Sequence, residues 1–144
     1  MIRELRLQDT KYIQQLNEKS LGYTFSLEET TKKIIRILDD SFHHTVIVYE
    51  DSETKEVIGY IHAEIYETLY FPTMLNILAL AVNQKKQRNG VGSKLMLALE
   101  EEARKQSILT IRLNSGATRV EAHSFYYSLG YDSEKLQKRL MKSL

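Results

Sequence analysis

Residues 74–113 constrain the fold more than any other part of the chain. Met74–Val82 reads MLNILALAV, a nearly continuous apolar run of the kind a strand shows when both of its faces are buried. It gives way to the polar, basic stretch NQKKQRNGVG from Asn83 to Gly92. Over residues 91–106 the period then becomes helical, with Val91, Leu95, Ala98, Leu99 and Ala103 on one face. Residues 108–113 return to strand character. A strand, a helix and a second strand in succession require parallel pairing through a right-handed crossover. That requirement excludes an all-helical bundle and an all-antiparallel sandwich.

The flanking segments complete a mixed sheet. Ile2 to Leu7 alternates apolar with polar and predicts a short first strand. Asp9 or Thr10 can cap a helix carrying Tyr12, Ile13 and Leu16, and Gly22 breaks that pattern. Ser26 and Glu29 have capping-box spacing and open a second helix, whose buried stripe is Ile34, Ile35 and Leu38. Residues 45–49 and 56–66 read as an antiparallel hairpin around the polar turn 51–55. Ala122, Phe125, Tyr126 and Leu129 recur at helical spacing before Gly130, and residues 136–141 alternate weakly as a last strand. The expected architecture is α/β (an α+β mixed sheet), with helices on both faces.

At 144 residues the chain fits a single domain over 1–144, large enough to fold without metal or disulfide. It has no cysteine, which excludes disulfides and Cys-ligated zinc and fits a reducing cytoplasm. A net charge of +1 supplies no field for nucleic acid. The charged N-terminus does not read as a signal peptide, and the apolar run 77–82 is too short to span a bilayer. A cytoplasmic protein with no membrane partner is the expectation. No metal is expected either: His62 and Glu64 share a strand face but have no third ligand in the pattern, and adjacent His43 and His44 read as surface residues.

The glycine-bearing turn carries the chemistry. The first turn of a helix presents unpaired N–H groups and about half a positive charge. Gly90 and Gly92 let a ligand approach that backbone, and Lys85, Lys86 and Arg88 add full charges, so the segment suits a phosphate. It is not a P-loop, because Ser93 and Lys94 stand in the wrong order and the first glycine is missing. Nor is it the dinucleotide fingerprint, whose third glycine is replaced by Leu95.

What remains, Gln87-x-x-Gly90-x-Gly92 after a strand ending in Val82, resembles the pyrophosphate-binding motif of the GNAT superfamily, the acyl-CoA-dependent N-acyltransferases. Arg119-x-x-Ala122-His-x-Phe125-Tyr126 through Gly130-Tyr131 resembles that superfamily's second motif, and Val57-Ile-Gly59-Tyr60 the strand that precedes its cofactor strand. The element order is similar over essentially the whole chain. The resemblance implies a mostly antiparallel sheet with a splayed parallel central pair, where a bulge re-aims the cofactor strand. It implies that Leu80, Ala81 and Val82 offer backbone to the pantetheine arm of acetyl-CoA, as a false extra strand. Gln87, Arg88, Asn89, Gly90, Val91, Gly92 and Ser93 would hold the pyrophosphate, and Asn114 would bond the cofactor arm.

The implied function is transfer of an acetyl group from acetyl-CoA to a primary amine by direct attack. The acceptor would be a small molecule or a peptide. A backbone N–H near Val82 would stabilise the oxyanion, and Tyr126 would protonate the departing thiolate. The family often places a glutamate on the cofactor strand as base, and that position here is Asn76. Glu64 or His62 could replace it, or the amine arrives neutral through ordered water. Tyr23, Phe25, Tyr66, Tyr70 and Phe71 are candidates for an acceptor pocket wall. Alternatives are transfer of a longer acyl group and a non-catalytic acyl-CoA-binding or sensing domain. An exposed last strand would allow a homodimer.

Overall fold

A computed structural model of the chain describes residues 1–133 and 135–144, the side chains of Gln87 and Arg88 apart. Two compact units divide it, Met1–Leu113 and Asn114–Leu144. In the first unit the order is β1 (Ile2–Glu4), α1 (Thr10–Leu16), α2 (Leu27–Leu38), β2 (His44–Glu50), β3 (Val57–Tyr66), β4 (Met74–Val82), α3 (Val91–Lys105) and β5 (Ile111–Leu113). The second unit holds α4 (Val120–Ser128).

The strands form one sheet in the order β1-β2-β3-β4-β5. Its first three pairings are antiparallel and β4 with β5 is parallel, as the strand–helix–strand unit demands. The residues of β3 show which helix covers which face. A Cβ at Gly59 would lie 3.0 Å from Val91 Cγ1 and 3.2 Å from Leu95 Cδ1, so α3 closes on the backbone there and only glycine admits it. The next residue, Tyr60, points to the other face and donates its hydroxyl proton to Asn17 Oδ1 beyond the end of α1. Consecutive strand residues face opposite ways, so α1 and α3 lie on opposite faces of the sheet. On the α1 side Leu5, Ile13, Leu16, Ile34, Val48, Val57, Tyr60 and Ala81 form one cluster. On the α3 side the helix buries Val91, Leu95, Met96, Leu99 and Ala103, with Met96 more covered than the expected Ala98.

The capping signal at α2 is realised, with Ser26 Oγ accepting the Glu29 N–H at 3.1 Å. Asp9 does not cap α1 with its side chain. Its two oxygens accept from Arg3 Nη1 and Nη2 at 2.8 and 2.9 Å, while Arg3 Nε donates to Glu50 at 2.7 Å. Burial would push the Asp9 carboxyl up, but the Arg3 bonds and the Arg6 N–H outweigh it and hold it below its usual range.

Two expectations are corrected. Strand β5 begins at Ile111 rather than at 108, because the Ile108 N–H turns back to the Ala103 carbonyl at 2.9 Å and closes the end of α3. Residues 136–141 form no strand, so among the described residues β5 ends the sheet and the parallel pair stands at its edge. The apolar residues of that tail, Leu136, Leu140 and Met141, do not keep a period of two and are 85%, 88% and 76% exposed. A homodimer built on that strand therefore has no basis in the fold.

Candidate active site

The second half of β4 is where the pairing of the first unit changes. Along β3 and β4 the register runs Gly59↔Val82 to His62↔Ala79, then slips, and resumes at Ala63↔Ile77. Leu78 is thus an extra residue, a bulge that re-aims everything after it. The parallel strand β5 pairs only with Leu75, Asn76 and Ile77 and goes no further. The Asn83 N–H bonds the Ile58 carbonyl at 2.8 Å, which places residues 79, 81 and 83 in hydrogen-bonded register with β3. By the alternation of an antiparallel ladder, Leu80 and Val82 direct their N–H and C=O groups away from β3, to the side where no strand of this unit stands. Ala81 turns its backbone to β3 and its side chain into the core, so it acts by placing its two neighbours. Ser20, on a π-helical turn (Asn17–Leu21), donates its hydroxyl to the Val82 carbonyl at 2.9 Å. No sequence signal marked that residue.

Beyond Val82 the chain makes a 3-10 segment (Gln84–Asn89), begun by Asn83, whose side chain accepts the Lys85 N–H at 3.0 Å. Gly90 follows at φ +71° and caps α3, and nothing lies within 4 Å of where its Cβ would be. The open space beside Gly90 and the helix start together leave the N–H groups of Val91, Gly92 and Ser93 without intrahelical partners. Val91 is buried, while Gly90, Gly92 and Ser93 are partly exposed. The roles expected of the Gln87 and Arg88 side chains fall outside the described residues. Lys86 is 3.8 Å from Asp51, whose carboxyl is held low by the Thr54 and Glu53 N–H groups. A cavity of about 220 Å³ lies near the end of β4, lined by Tyr12, Lys19, Ser20, Asn83 and Lys85 among others. A larger one, about 770 Å³, is lined by Phe42, Pro72, Ile108 and Leu109 and shares no residue with the turn or the open edge.

A polar cluster occupies the α1 face of the sheet near the bulge. His62, Glu64 and Tyr66 alternate onto this face of β3, and register sets Asn76 opposite Glu64 and His44 beside it. Asn76 Nδ2 donates to Glu64 Oε2 at 2.9 Å, and Asn76 Oδ1 accepts from Arg112 Nη1 at 2.7 Å. The Arg112 guanidinium lies 4.6 Å from the centre of the Tyr66 ring. His43 Nε2 is 3.3 Å from Glu64 Oε1, and His44 Nδ1 is 3.0 Å from His62 Nε2. His43 and His44 are therefore not isolated surface residues, because their rings meet edge to face and each has a partner on β3. Burial, reinforced by His44, pushes the His62 imidazole down to about 4, so it is neutral at pH 7. Among the described residues, no three or more His, Cys, Asp or Glu side chains are placed to hold a metal.

The expected pocket wall is not assembled: Tyr23, Tyr70 and Phe71 are more than half exposed, and only Tyr66 joins the cluster. Asn114 follows directly on β5 and begins the second unit. There, Ala122, Phe125, Tyr126 and Leu129 form the more covered stripe of α4. The helix is closed by Gly130 N–H to Tyr127 and Tyr131 N–H to Tyr126, at 3.0 and 3.1 Å. The Tyr126 phenol is pushed up by burial, with Arg119 opposing, so it keeps its proton. His123 bonds the Gly116 carbonyl at 2.8 Å, a structural contact.

Comparison with known families places the chain. The sequence matches the acetyltransferase (GNAT) family over residues 10–131, and the chain belongs to that family of acyltransferases. No curated protein matches it in sequence. Among solved structures, the aminoglycoside antibiotic 6'-N-acetyltransferase of Acinetobacter haemolyticus is similar at TM-score 0.83 and 16% identity, covering 100% of this chain and 99% of that one. Glucosamine-6-phosphate N-acetyltransferase of Arabidopsis thaliana is similar at TM-score 0.84 and 16% identity, covering 99% and 98%. A transcriptional regulator of Bacillus halodurans reaches TM-score 0.87 at 18% identity, covering 99% of each chain. These identities speak to the fold, and they bear out the mixed-sheet architecture.

Proposed function

We propose that the chain, acting as one domain over 1–144, moves an acetyl group from acetyl-CoA to a primary amine in the cytoplasm. The observation that carries this reading is the continuity of the unpaired side of β4 with the Gly90 turn. The N–H and C=O groups of Leu80 and Val82 would pair with the amides of the pantetheine arm, as a strand pairs with a sheet edge. The N–H groups of Val91, Gly92 and Ser93 would hold the diphosphate, with Gln87, Arg88 and Asn89 before them and Asn114 on the arm. The cosubstrate supplies an activated thioester, so no enzyme nucleophile is needed.

The amine nitrogen forms a bond to the thioester carbon while the carbon–sulfur bond breaks. The nitrogen's surplus proton must leave and the thiolate must gain one. Glu64 is the base this reading favours. His62 Nε2 is already bonded to His44, and burial disfavours the imidazolium it would become on taking a proton. Glu64 presents a carboxylate that is 25% exposed at the surface of the cluster. Tyr126, with its phenol raised by burial, is the donor to sulfur.

The test is thiol release from acetyl-CoA with a panel of small amines and peptides, with the acetylated product identified by mass. Tyr126→Phe should lower kcat by about 100-fold with little change in cofactor affinity. Binding of acetyl-CoA without thiol release for any amine would overturn the enzyme reading in favour of a sensing domain. Faster transfer of a longer acyl group would reassign the donor.

A further inference from the structure

We propose that Asn76 is a positioning residue, linking Arg112 to Glu64 so that the carboxylate is held in one orientation toward the incoming amine. This rests on the reading of Glu64 as the base. An asparagine on β4 cannot take a proton near neutral pH, and its two ends show what it does instead. Its amide donates to Glu64 Oε2 at 2.9 Å and its carbonyl accepts from Arg112 Nη1 at 2.7 Å. Those two bonds fix which way round the side chain stands, because guanidinium can only donate and carboxylate can only accept. The residues stand on three neighbouring strands in direct register, Glu64↔Asn76 and Asn76↔Arg112, so the chain of bonds runs straight across the sheet. Arg112 is itself seated on the Tyr66 ring.

The register also explains why a second carboxylate at position 76 would be harmful. Two carboxylates directly opposite on adjacent strands repel, and one of them takes up a proton. With asparagine there, the single carboxylate of the pair sits on β3 and receives a donor where it would otherwise meet a like charge. The other groups facing Glu64 are His43, at 3.3 Å from Oε1, and His44 and His62 beside it, with Asp40 acting on His44 from the turn after α2. None of these lies on the Asn76 side. Removing the amide therefore withdraws from Glu64 Oε2 the hydrogen bond it receives on that side.

The experiment compares pH profiles of kcat/KM, and the carbon-13 titration of the Glu64 carboxyl, in the full chain and in Asn76→Leu, Arg112→Met, the double variant and Glu64→Gln. In Asn76→Leu the charged form loses a donor and the carboxylate its fixed orientation, so the acid limb and the carboxyl titration should both move up relative to the full chain, and kcat should fall by roughly 10-fold. Arg112→Met should move both in the same direction and by less, and the double variant should shift them by less than the sum of the two single shifts, since part of the effect of Arg112 reaches Glu64 through Asn76. An unmoved titration in Asn76→Leu, or additive shifts in the double variant, overturns the coupling. If Glu64→Gln keeps the acid limb, the base assignment fails and the catalytic role of Asn76 with it. The carboxyl titration then still reads whether the electrostatic coupling exists. Should Asn76→Leu fold poorly, Arg112→Met carries the same test from β5.

Discussion

Residues 74–77 and 79–82 belong to one strand and differ in what stands beside them. The first four have β3 on one side, Leu75, Asn76 and Ile77 among them have β5 on the other, and Leu75 is fully buried. The last four have β3 alone, and between the two sets lies the bulge at Leu78. The paired half contributes stability and the polar cluster. The half-paired one contributes backbone groups that no strand of their own unit takes up, with Ser20 bonding the Val82 carbonyl. On the reading proposed above, function enters through the interruption of pairing rather than through a reactive side chain on the second half of the strand.

The largest effect that can test this contrast is on stability. Leu75→Ala removes a buried side chain between two strands and beneath α3, and should cost about 2–5 kcal/mol in urea unfolding. Leu80→Ala, on the half-paired stretch and only partly buried, should cost under about 1.5 kcal/mol. Equal losses at the two positions would mean that the second half is as enclosed as the first.

Next in size is a change that should reach the ligand and spare the fold. Gly90→Glu places its Cβ in open space, so its structural cost is the positive φ, about 1–2 kcal/mol. Its carboxylate would stand at the N-terminus of α3, where a diphosphate is proposed to sit. Affinity for CoA should fall by at least about 100-fold, a like-charge penalty of roughly 3 kcal/mol by calorimetry. Retained tight binding would separate the glycine turn from the open edge and leave the two halves of β4 without a functional distinction.

A pH measurement sharpens the paired half. His62 takes up protons in the unfolded chain near pH 6.5 but in the folded one only near 4, because burial disfavours its charged form. Between those values the unfolded state binds more protons, so stability rises with pH. The contribution is complete above about 6.5 and lost as pH falls toward 4. By linkage it amounts to roughly 3 kcal/mol at most, and His44, depressed by burial and by His43, adds in the same direction. His62→Gln should flatten the dependence of unfolding free energy on pH from 7.5 to 4.5. Asp9, whose carboxyl is depressed, loses its contribution only at lower pH and is not confused with it.

What was legible in the sequence follows the same division. The apolar run Met74–Val82 gave β4 its bounds because both faces of the strand need cover, and the period over α3 located the helix that supplies it. The glycine turn was visible because Gly90 needs a positive φ and glycine admits one freely. The bulge at Leu78 was not visible, since neither the extra residue nor its neighbours depart from an ordinary apolar strand. The polar cluster was half visible: alternation put His62 and Glu64 on one face. Its other members, His44, Asn76 and Arg112, are brought in by register across three further strands, which no local pattern encodes. The tail misled because three apolar residues among lysines and arginine imitate an alternation they do not keep.

The smallest effect is at Ser20, and its sign is informative. The hydroxyl donates to the Val82 carbonyl from the π-turn after α1, and so occupies one of the groups the open edge would offer to a ligand amide. Ser20→Ala removes one hydrogen bond that is partly buried and should cost about 0.5–1.5 kcal/mol of stability. A carbonyl oxygen has two lone pairs. If hydroxyl and ligand amide compete for the same direction, the variant should bind CoA about 2- to 5-fold more tightly, because a ligand no longer has to displace the serine. Unchanged affinity would mean that Val82 accepts from both at once, so that Ser20 braces the open edge in the geometry a ligand meets. Weaker binding would show that the serine is needed to hold β4 away from collapse onto its own unit, and would make the half-paired stretch a supported feature rather than merely an unpaired one.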